Sequence, residues 1–254
     1  MLAISAALLA LFLVVETRVE APLLPLPLFR VSSVAGSNAV GFLLGMSFYT
    51  FVFLGTLYMQ QVLGFSALAT GAAWMTASVT SLALACTGLS QRIVTRTSPK
   101  PVMAFGMALI GAGMLWAAQA PAHGNFWPDL AGPFFIAGIG TAFAFIPISI
   151  GALAGVTERD AVVAAGLLNT SQNLGGAIGV AVASSIAASH FHTLVHHGYA
   201  TAAALTGGFQ WALWVCGLIG VAAIPVAFAF IRRTRKADKI AIAQSQDLVM
   251  TASR

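Results

Sequence analysis

The chain has 254 residues, 59% of them apolar and only 7% charged, with a mean hydropathy of +0.90 and a formal net charge of +5. A soluble domain carries about 25% charged residues, so this chain lacks the polar groups to wet a globular surface and a water-soluble fold is excluded. The positive charge does not indicate nucleic acid, because Lys and Arg sit in short clusters between long apolar runs and no basic stretch is interleaved with stacking aromatics. Cys86 and Cys216 lie in separate apolar runs, too few for a disulfide framework or a zinc site, and read as free core thiols.

In chain order, the first apolar run is Met1 to Val15. It has no basic residue before Arg18 and ends in Glu16-Thr17-Arg18-Val19-Glu20 rather than at a small-residue cleavage site. It therefore reads as the end of a membrane helix whose beginning is missing, not as a signal peptide. On that reading the chain is a fragment: 1–32 is the end of a truncated helix and a cytoplasmic linker, 33–231 a six-helix bundle, and 232–254 a basic cytoplasmic tail. The six spans are uncharged windows long enough to cross about 30 Å of hydrocarbon. They run from Val34 to Tyr58, Leu68 to Leu89, Val102 to Gln119, Leu130 to Ala154, Val162 to Ala188 and Phe209 to Ile231.

The arrangement of charge fixes the expected topology. All 12 basic residues fall in four places: Arg18 and Arg30; Arg92, Arg96 and Lys100; Arg159; and a tail beginning Arg232 and Arg233. The three intervals between them each hold two spans and a turn, so each reads as a hairpin that leaves one face and returns to it. The positive-inside rule makes that face cytoplasmic, with the carboxyl terminus inside. The outer loops are then Gln60 to Ala67, Ala120 to Asp129 and Ser189 to Gly208, with Tyr58, Trp116 and Trp127 near the outer boundary.

Within the spans no Asp, Glu, Lys or Arg occurs, whereas carriers driven by protons usually keep an ionisable group in the membrane. Any coupling charge is expected elsewhere. Small residues four apart form ridges suited to close helix packing, Gly175, Gly179 and Ala183 in one and Gly41 and Gly45 in another, while Gly106, Gly111 and Gly113 line a helix rich in small residues. Fixed packing and a sliding interface are both open. Amides without partners cost several kcal/mol in hydrocarbon, on the order given for buried polar groups, so Asn169, Gln172 and Asn173 are expected to face other helices or a wet cavity. Their spacing of three and four puts them on one helical face, which serves either interhelical hydrogen bonds or a substrate surface. Phe48, Tyr49, Phe53, Phe143 and Phe145 either pack in the core or line an apolar pathway. Pro147 predicts a kink in the fourth span.

His190, His192, His196 and His197 crowd the third outer loop. They read either as a metal-binding tract or as a solvated polar loop; no carboxylate or thiol is close in sequence, and no metal site is assigned. No nucleophile with its base, phosphate-cradling loop or paired carboxylate is present, so the chain is not read as an enzyme and no cofactor is expected.

Three segments carry a resemblance. Glu16-Thr17-Arg18 with Pro22 to Arg30, then Leu57-Tyr58-Met59-Gln60-Gln61-Val62-Leu63-Gly64-Phe65-Ser66, resemble the fourteen-helix drug:proton antiporters of the major facilitator superfamily. Gly166 to Gly179 is similar to that family's penultimate helix. The match covers nearly the whole chain but corresponds to the family's second half. Gly88 to Arg96 resembles the second copy of the superfamily's cytoplasmic loop motif, with Gln91 where copies commonly carry an acid. There the resemblance leaves Gly88, Arg92 and Arg96 to interact with lipid headgroups or a facing helix end.

What the resemblance implies is an all-α, multi-pass protein of the cell inner membrane, a six-helix half-bundle of two three-helix repeats. It would pack against an amino-terminal bundle and hold substrate at the midplane. Spans one, two, four and five would line the cavity and spans three and six lie at the periphery. The cargo would be hydrophobic or cationic small molecules, contacted by Tyr49, Phe53, Asn169, Gln172 and Asn173, with protons coupled through the missing half. Membrane lipid, a separate amino-terminal half-carrier or a second copy of the chain are the implied partners. A non-transporting membrane fragment, or a protein that binds a membrane partner, is the alternative.

Overall fold

The computed structural model describes residues 14–15, 32–154 and 156–230. The truncated leading helix, the linker with its Glu-Thr-Arg and proline-rich segments, and the basic tail lie outside the described residues, apart from residues 14–15. Among the described residues every element is helical: α1 Ser32–Leu57, α2 Ala67–Cys86, α3 Leu89–Arg96, α4 Pro99–Ala117, α5 Ala131–Leu153, α6 Glu158–His196 and α7 Thr201–Phe230. A π-helical turn, Tyr58–Val62, extends α1, and a second, Phe126–Leu130, leads into α5. All of these except the eight-residue α3 belong to segments long and apolar enough to cross a membrane.

Hydrogen bonds between chain ends define which helix ends lie together. Ser33 Oγ at the start of α1 donates to the Gly151 carbonyl at the end of α5 (2.7 Å), and Lys100 Nζ at the start of α4 donates to the Phe228 carbonyl near the end of α7 (3.2 Å). At the opposite end Tyr58 Oη donates to the Pro121 carbonyl (2.6 Å) and Gln210 Nε2 to the Ala120 carbonyl (2.9 Å). The helices therefore alternate in direction, and Arg92, Arg96, Lys100 and the position of Arg159 all belong to one end, as the hairpin reading requires.

The helices are held by backbone contact. A Cβ on Gly45 would strike the Gln172 carbonyl of α6, and one on Gly175 would strike the Phe42 carbonyl of α1. A Cβ on Gly179 would stand 2.5 Å from the Met46 carbonyl. The ridges on α1 and α6 are thus the two sides of one joint. The same device joins α4 to α5, where Gly106 and Gly140 each approach the other's carbonyl to 2.8 Å as measured from a built Cβ, and α2 to α5, where Gly138 meets the Ala77 carbonyl at 2.5 Å. Around these contacts Leu44, Phe51, Met103, Met107, Met114, Phe134 and Ile148 are fully enclosed.

Two expectations are corrected. First, the fifth span does not stop at Ala188: α6 runs to His196, because nothing between Ala188 and His197 breaks a helix, and it ends where Gly198 takes φ +82°. Hydropathy marks where the membrane ends, not where the helix does. α7 begins at Thr201, so the third outer loop shrinks to the few residues between them. Second, the second span ends at Cys86, where Gly88 in the left-handed region (φ +63°) starts the separate helix α3. α4 is packed into the interior of this bundle. Its glycines let it nest between α5 and α7, and it is among the most buried helices, while α2, packed mainly on α5, is the least. α5 continues as helix through Pro147, which is buried inside it.

The glycine joint makes a direct prediction. Gly175→Ala must push α6 away from the Phe42 carbonyl and is expected to destabilise the bundle by about 1–3 kcal/mol, the usual range for overpacking. Gly166→Ala on the same helix, where nothing lies within 4 Å, is expected to be neutral or slightly stabilising. Denaturant unfolding in detergent, followed by helical circular dichroism, distinguishes the two.

Candidate functional site

Two adjoining surfaces on α1 carry the chemistry. Tyr49 and Phe53, one helical turn apart, are partly exposed on the side facing α6. Gly176, lacking a side chain, gives the Tyr49 ring its place on α6. Tyr49 Oη lies 3.4 Å from Asn173 Oδ1, and Asn173 Nδ2 donates to the Asn169 carbonyl (2.8 Å) and to Asn169 Oδ1 (3.2 Å). Tyr49, Asn173 and Asn169 therefore form a hydrogen-bonded row, and both Asn residues are exposed. Gln172 does not join it. It shares the ridge of Gly175 and Gly179 and is buried against α1, with its Cγ 3.6 Å from a Cβ built on Gly41. The single face expected for the three amides is split, because the glycine joint takes the side of α6 on which Gln172 lies.

Nearer the basic end the polar groups are consumed by the fold. Ser171 Oγ donates to Asn38 Oδ1 (2.7 Å), and Asn38 Nδ2 donates to the Val34 carbonyl (2.9 Å), pinning α6 to α1. Gly88 caps α3, whose Ser90 and Val94 are buried while Arg92 and Arg96 are exposed. These two guanidinium groups stand away from the row on α1 and α6.

The second surface is a cavity of about 460 Å³ between α1 and α2, floored by Ala137 and Thr141 of α5. It exists because α1 leans on α6, α7 and α5, whereas α2 packs mainly on α5. Phe48, Phe51 and Val52 form its α1 wall, and Trp74, Ser78 and Ser81 lie on its α2 wall. The Trp74 indole stacks on Phe134 (centroids 4.3 Å apart), meets the Phe51 ring edge-on at 5.5 Å, and donates from Nε1 to Thr56 Oγ1 (3.0 Å). Phe48 stands between the two surfaces, edge-on to Tyr49 at 5.6 Å and to Phe145 at 5.5 Å. Reading aromatics one by one on α1 missed Phe51 and the whole α2 wall. The signal was present in α2 as Trp74, Ala77, Ser78, Ser81 and Ala85, which recur at helical spacing.

At the far end His190 lies beside Trp211, ring centroids 5.4 Å apart, between the extensions of α6 and α7. Among the described residues no three His, Cys, Asp or Glu side chains converge as metal ligands would.

Fold and site together define a multi-pass α-helical membrane protein with aromatic and amide groups collected on exposed helix surfaces. Comparison with known proteins places it more closely: the profile of the Major Facilitator Superfamily matches residues 1–180 and 40–249, and the chain belongs to that superfamily. It is 32% identical over 184 residues to the cephamycin export protein CmcT of Amycolatopsis lactamdurans, covering 72% of this chain and 37% of that one. It is 34% identical over 179 residues to the lincomycin resistance protein of Streptomyces lincolnensis, covering 70% and 36% respectively. With the puromycin resistance protein pur8 of Streptomyces alboniger, identity is 27% over 248 residues, 94% of this chain and 49% of the relative. The chain thus spans less than half the length of these curated relatives.

The indole of Trp74 offers a test of the cavity's construction. Thr56→Val keeps the shape but leaves the part-buried Nε1–H without its acceptor, which is expected to cost about 0.5–1.5 kcal/mol. Thermal unfolding in detergent reads the loss, and Thr56→Ser, which keeps the oxygen, is expected to restore most of it.

Proposed function

We propose that this chain forms the carboxyl-terminal six-helix half of a proton-coupled multidrug efflux carrier of the fourteen-helix drug:proton antiporter type. It sits in the cell inner membrane with its basic end and carboxyl terminus cytoplasmic. The observation that carries the reading is the exposed row Tyr49, Asn173 and Asn169 on otherwise apolar membrane helices. Amides facing lipid are costly by several kcal/mol, in the range for unsatisfied polar groups. A face of this kind is suited to water, to substrate and to a second bundle across a central cavity. The names of the relatives, which speak of export of or resistance to antibiotics, support small-molecule export.

In this reading Tyr49 and Phe53 offer ring faces to a hydrophobic or cationic cargo, and Asn169 and Asn173 orient it by hydrogen bonds. Gln172 acts on the same site through the α1–α6 joint. Alternating access follows from rocking of the bundle against an amino-terminal half, or against a second copy of the chain. From 161 to 230 there is no Asp, Glu, Lys or Arg, so proton coupling is assigned to acids of the other half. Arg92 and Arg96 interact with lipid headgroups or a facing helix end at the cytoplasmic side.

Efflux-deficient cells expressing this chain together with an amino-terminal half of the family are expected to accumulate less drug, with the difference abolished when the proton gradient is collapsed. In that pair Asn173→Ala or Tyr49→Phe is expected to alter the transported range, lowering export of the affected drugs by about fivefold, the equivalent of one net hydrogen bond. Accumulation that is the same with and without the chain, while the protein is in the membrane, would overturn the export reading. Export unchanged in both variants across several drugs would remove the row from the substrate path.

A further inference from the structure

The polar row accounts for one side of Phe48 only. On its other side lies the α1–α2–α5 cavity, which the proposed contacts do not use. Its volume of about 460 Å³ is roughly three times that of a cavity that holds one benzene ring, which suits a fused system of two or three rings. Its walls set the chemistry of an occupant. Phe48, Phe51 and Trp74 supply aromatic surface, and Ser78, Ser81 and Thr141 supply hydroxyls. The Thr141 hydroxyl is engaged with the Ala137 carbonyl at 2.8 Å, and the Trp74 N–H with Thr56. Ser78 and Ser81 remain to meet a polar substituent. No charged residue lines the space, so a cation placed there would have no carboxylate to face it.

We infer that the cavity between α1, α2 and α5 is a binding subsite for a neutral, flat, two- or three-ring aromatic group bearing a hydrogen-bonding substituent. The inference rests on the carrier reading above and deepens it: Phe48 is the wall shared with the Tyr49–Asn173–Asn169 row. A single cargo molecule can then set its ring system on the cavity side of Phe48 and its polar part against the amides. Aromatic pairing beyond simple area burial favours a flat ring over a saturated one of equal size, and the α2 hydroxyls select against a bare hydrocarbon. This division separates the groups that recognise ring shape from those that orient the polar end.

The test is photolabelling of the full chain in lipid nanodiscs with 1-azidonaphthalene, followed by peptide mapping. Labelling is expected to concentrate on segments 48–52 and 74–85. 2-Naphthol is expected to protect these segments at about three- to tenfold lower concentration than decahydro-2-naphthol, the range that aromatic pairing provides. Ser78→Phe, which fills the cavity from an exposed position on α2, is expected to reduce labelling of both segments at least tenfold. Ser81→Leu provides a second filling variant should the first not fold. Labelling spread evenly over all helices, labelling undiminished in the folded variants, or equal protection by the saturated alcohol would each overturn the proposal. Protection by tetrapropylammonium matching that of 2-naphthol would overturn its neutral-ring specificity. Because labelling is read on the purified chain, a failure of drug export in cells counts against the export reading alone.

Discussion

Helices in hydrocarbon gain nothing by hiding apolar side chains from one another, since lipid is as apolar as leucine; what holds them is close contact and polar exchange between backbones. The bundle depends on that constraint at a small number of glycine positions. At the α1–α6 joint three glycines, Gly45, Gly175 and Gly179, face carbonyl oxygens across the interface, each at a place where a methyl group has no room. The consequences reach well beyond the joint. It fixes which side of α6 faces α1, turns Gln172 inward, and leaves Asn169 and Asn173 on the open side where Tyr49 can reach them. It also draws α1 toward α6, so that α1 and α2 part and the aromatic cavity opens over α5.

Polar groups divide by the same logic. Many hydroxyls in the spans return to their own helix: Thr141, Thr206 and Ser185 each bond the carbonyl four residues back. Ser33, Asn38 and Ser171 instead tie helices together near the basic end. Tyr58 and Gln210 do so at the other end, where they hold the loop between α4 and α5. The row on α1 and α6 differs because its hydrogen-bonding capacity is turned outward. The outward row and the structural ties are thus made of the same residue types and differ in whether their hydrogen bonds are spent between helices or left exposed.

This explains how much could be read beforehand. The six spans follow from composition because an uncharged window of sufficient length has few other fates, and the hairpin topology follows from the clustering of Arg92, Arg96, Lys100 and Arg159. The ridges at Gly41 and Gly45 and at Gly175 and Gly179 were visible as spacing. That they are partners was not, since spacing carries no information about which helices meet. The division between Asn169 and Gln172 was hidden for the same reason, as a rotation of α6 by a fraction of a turn decides it. Tyr49 and Phe53 could be picked as aromatics on α1. The neighbouring stripe of Phe48 and Val52 gains its meaning only from the gap beside α2.

The length of α6 has a mechanical meaning. Its 39 residues extend about 58 Å at 1.5 Å per residue, nearly twice the hydrocarbon thickness of about 30 Å. The part beyond Gly175 alone reaches about 32 Å to His196. With close backbone contacts to α1 at Gln172 and Gly175, α6 has the proportions of a lever pivoted within its apolar span. A tilt of about 10° there would sweep the tip through about 6 Å, carrying with it the start of α7 across the short turn at Gly198. On that geometry a small angular change within the bundle would become a displacement, at the end opposite the basic residues, large enough to be followed by a spectroscopic label placed near the tip.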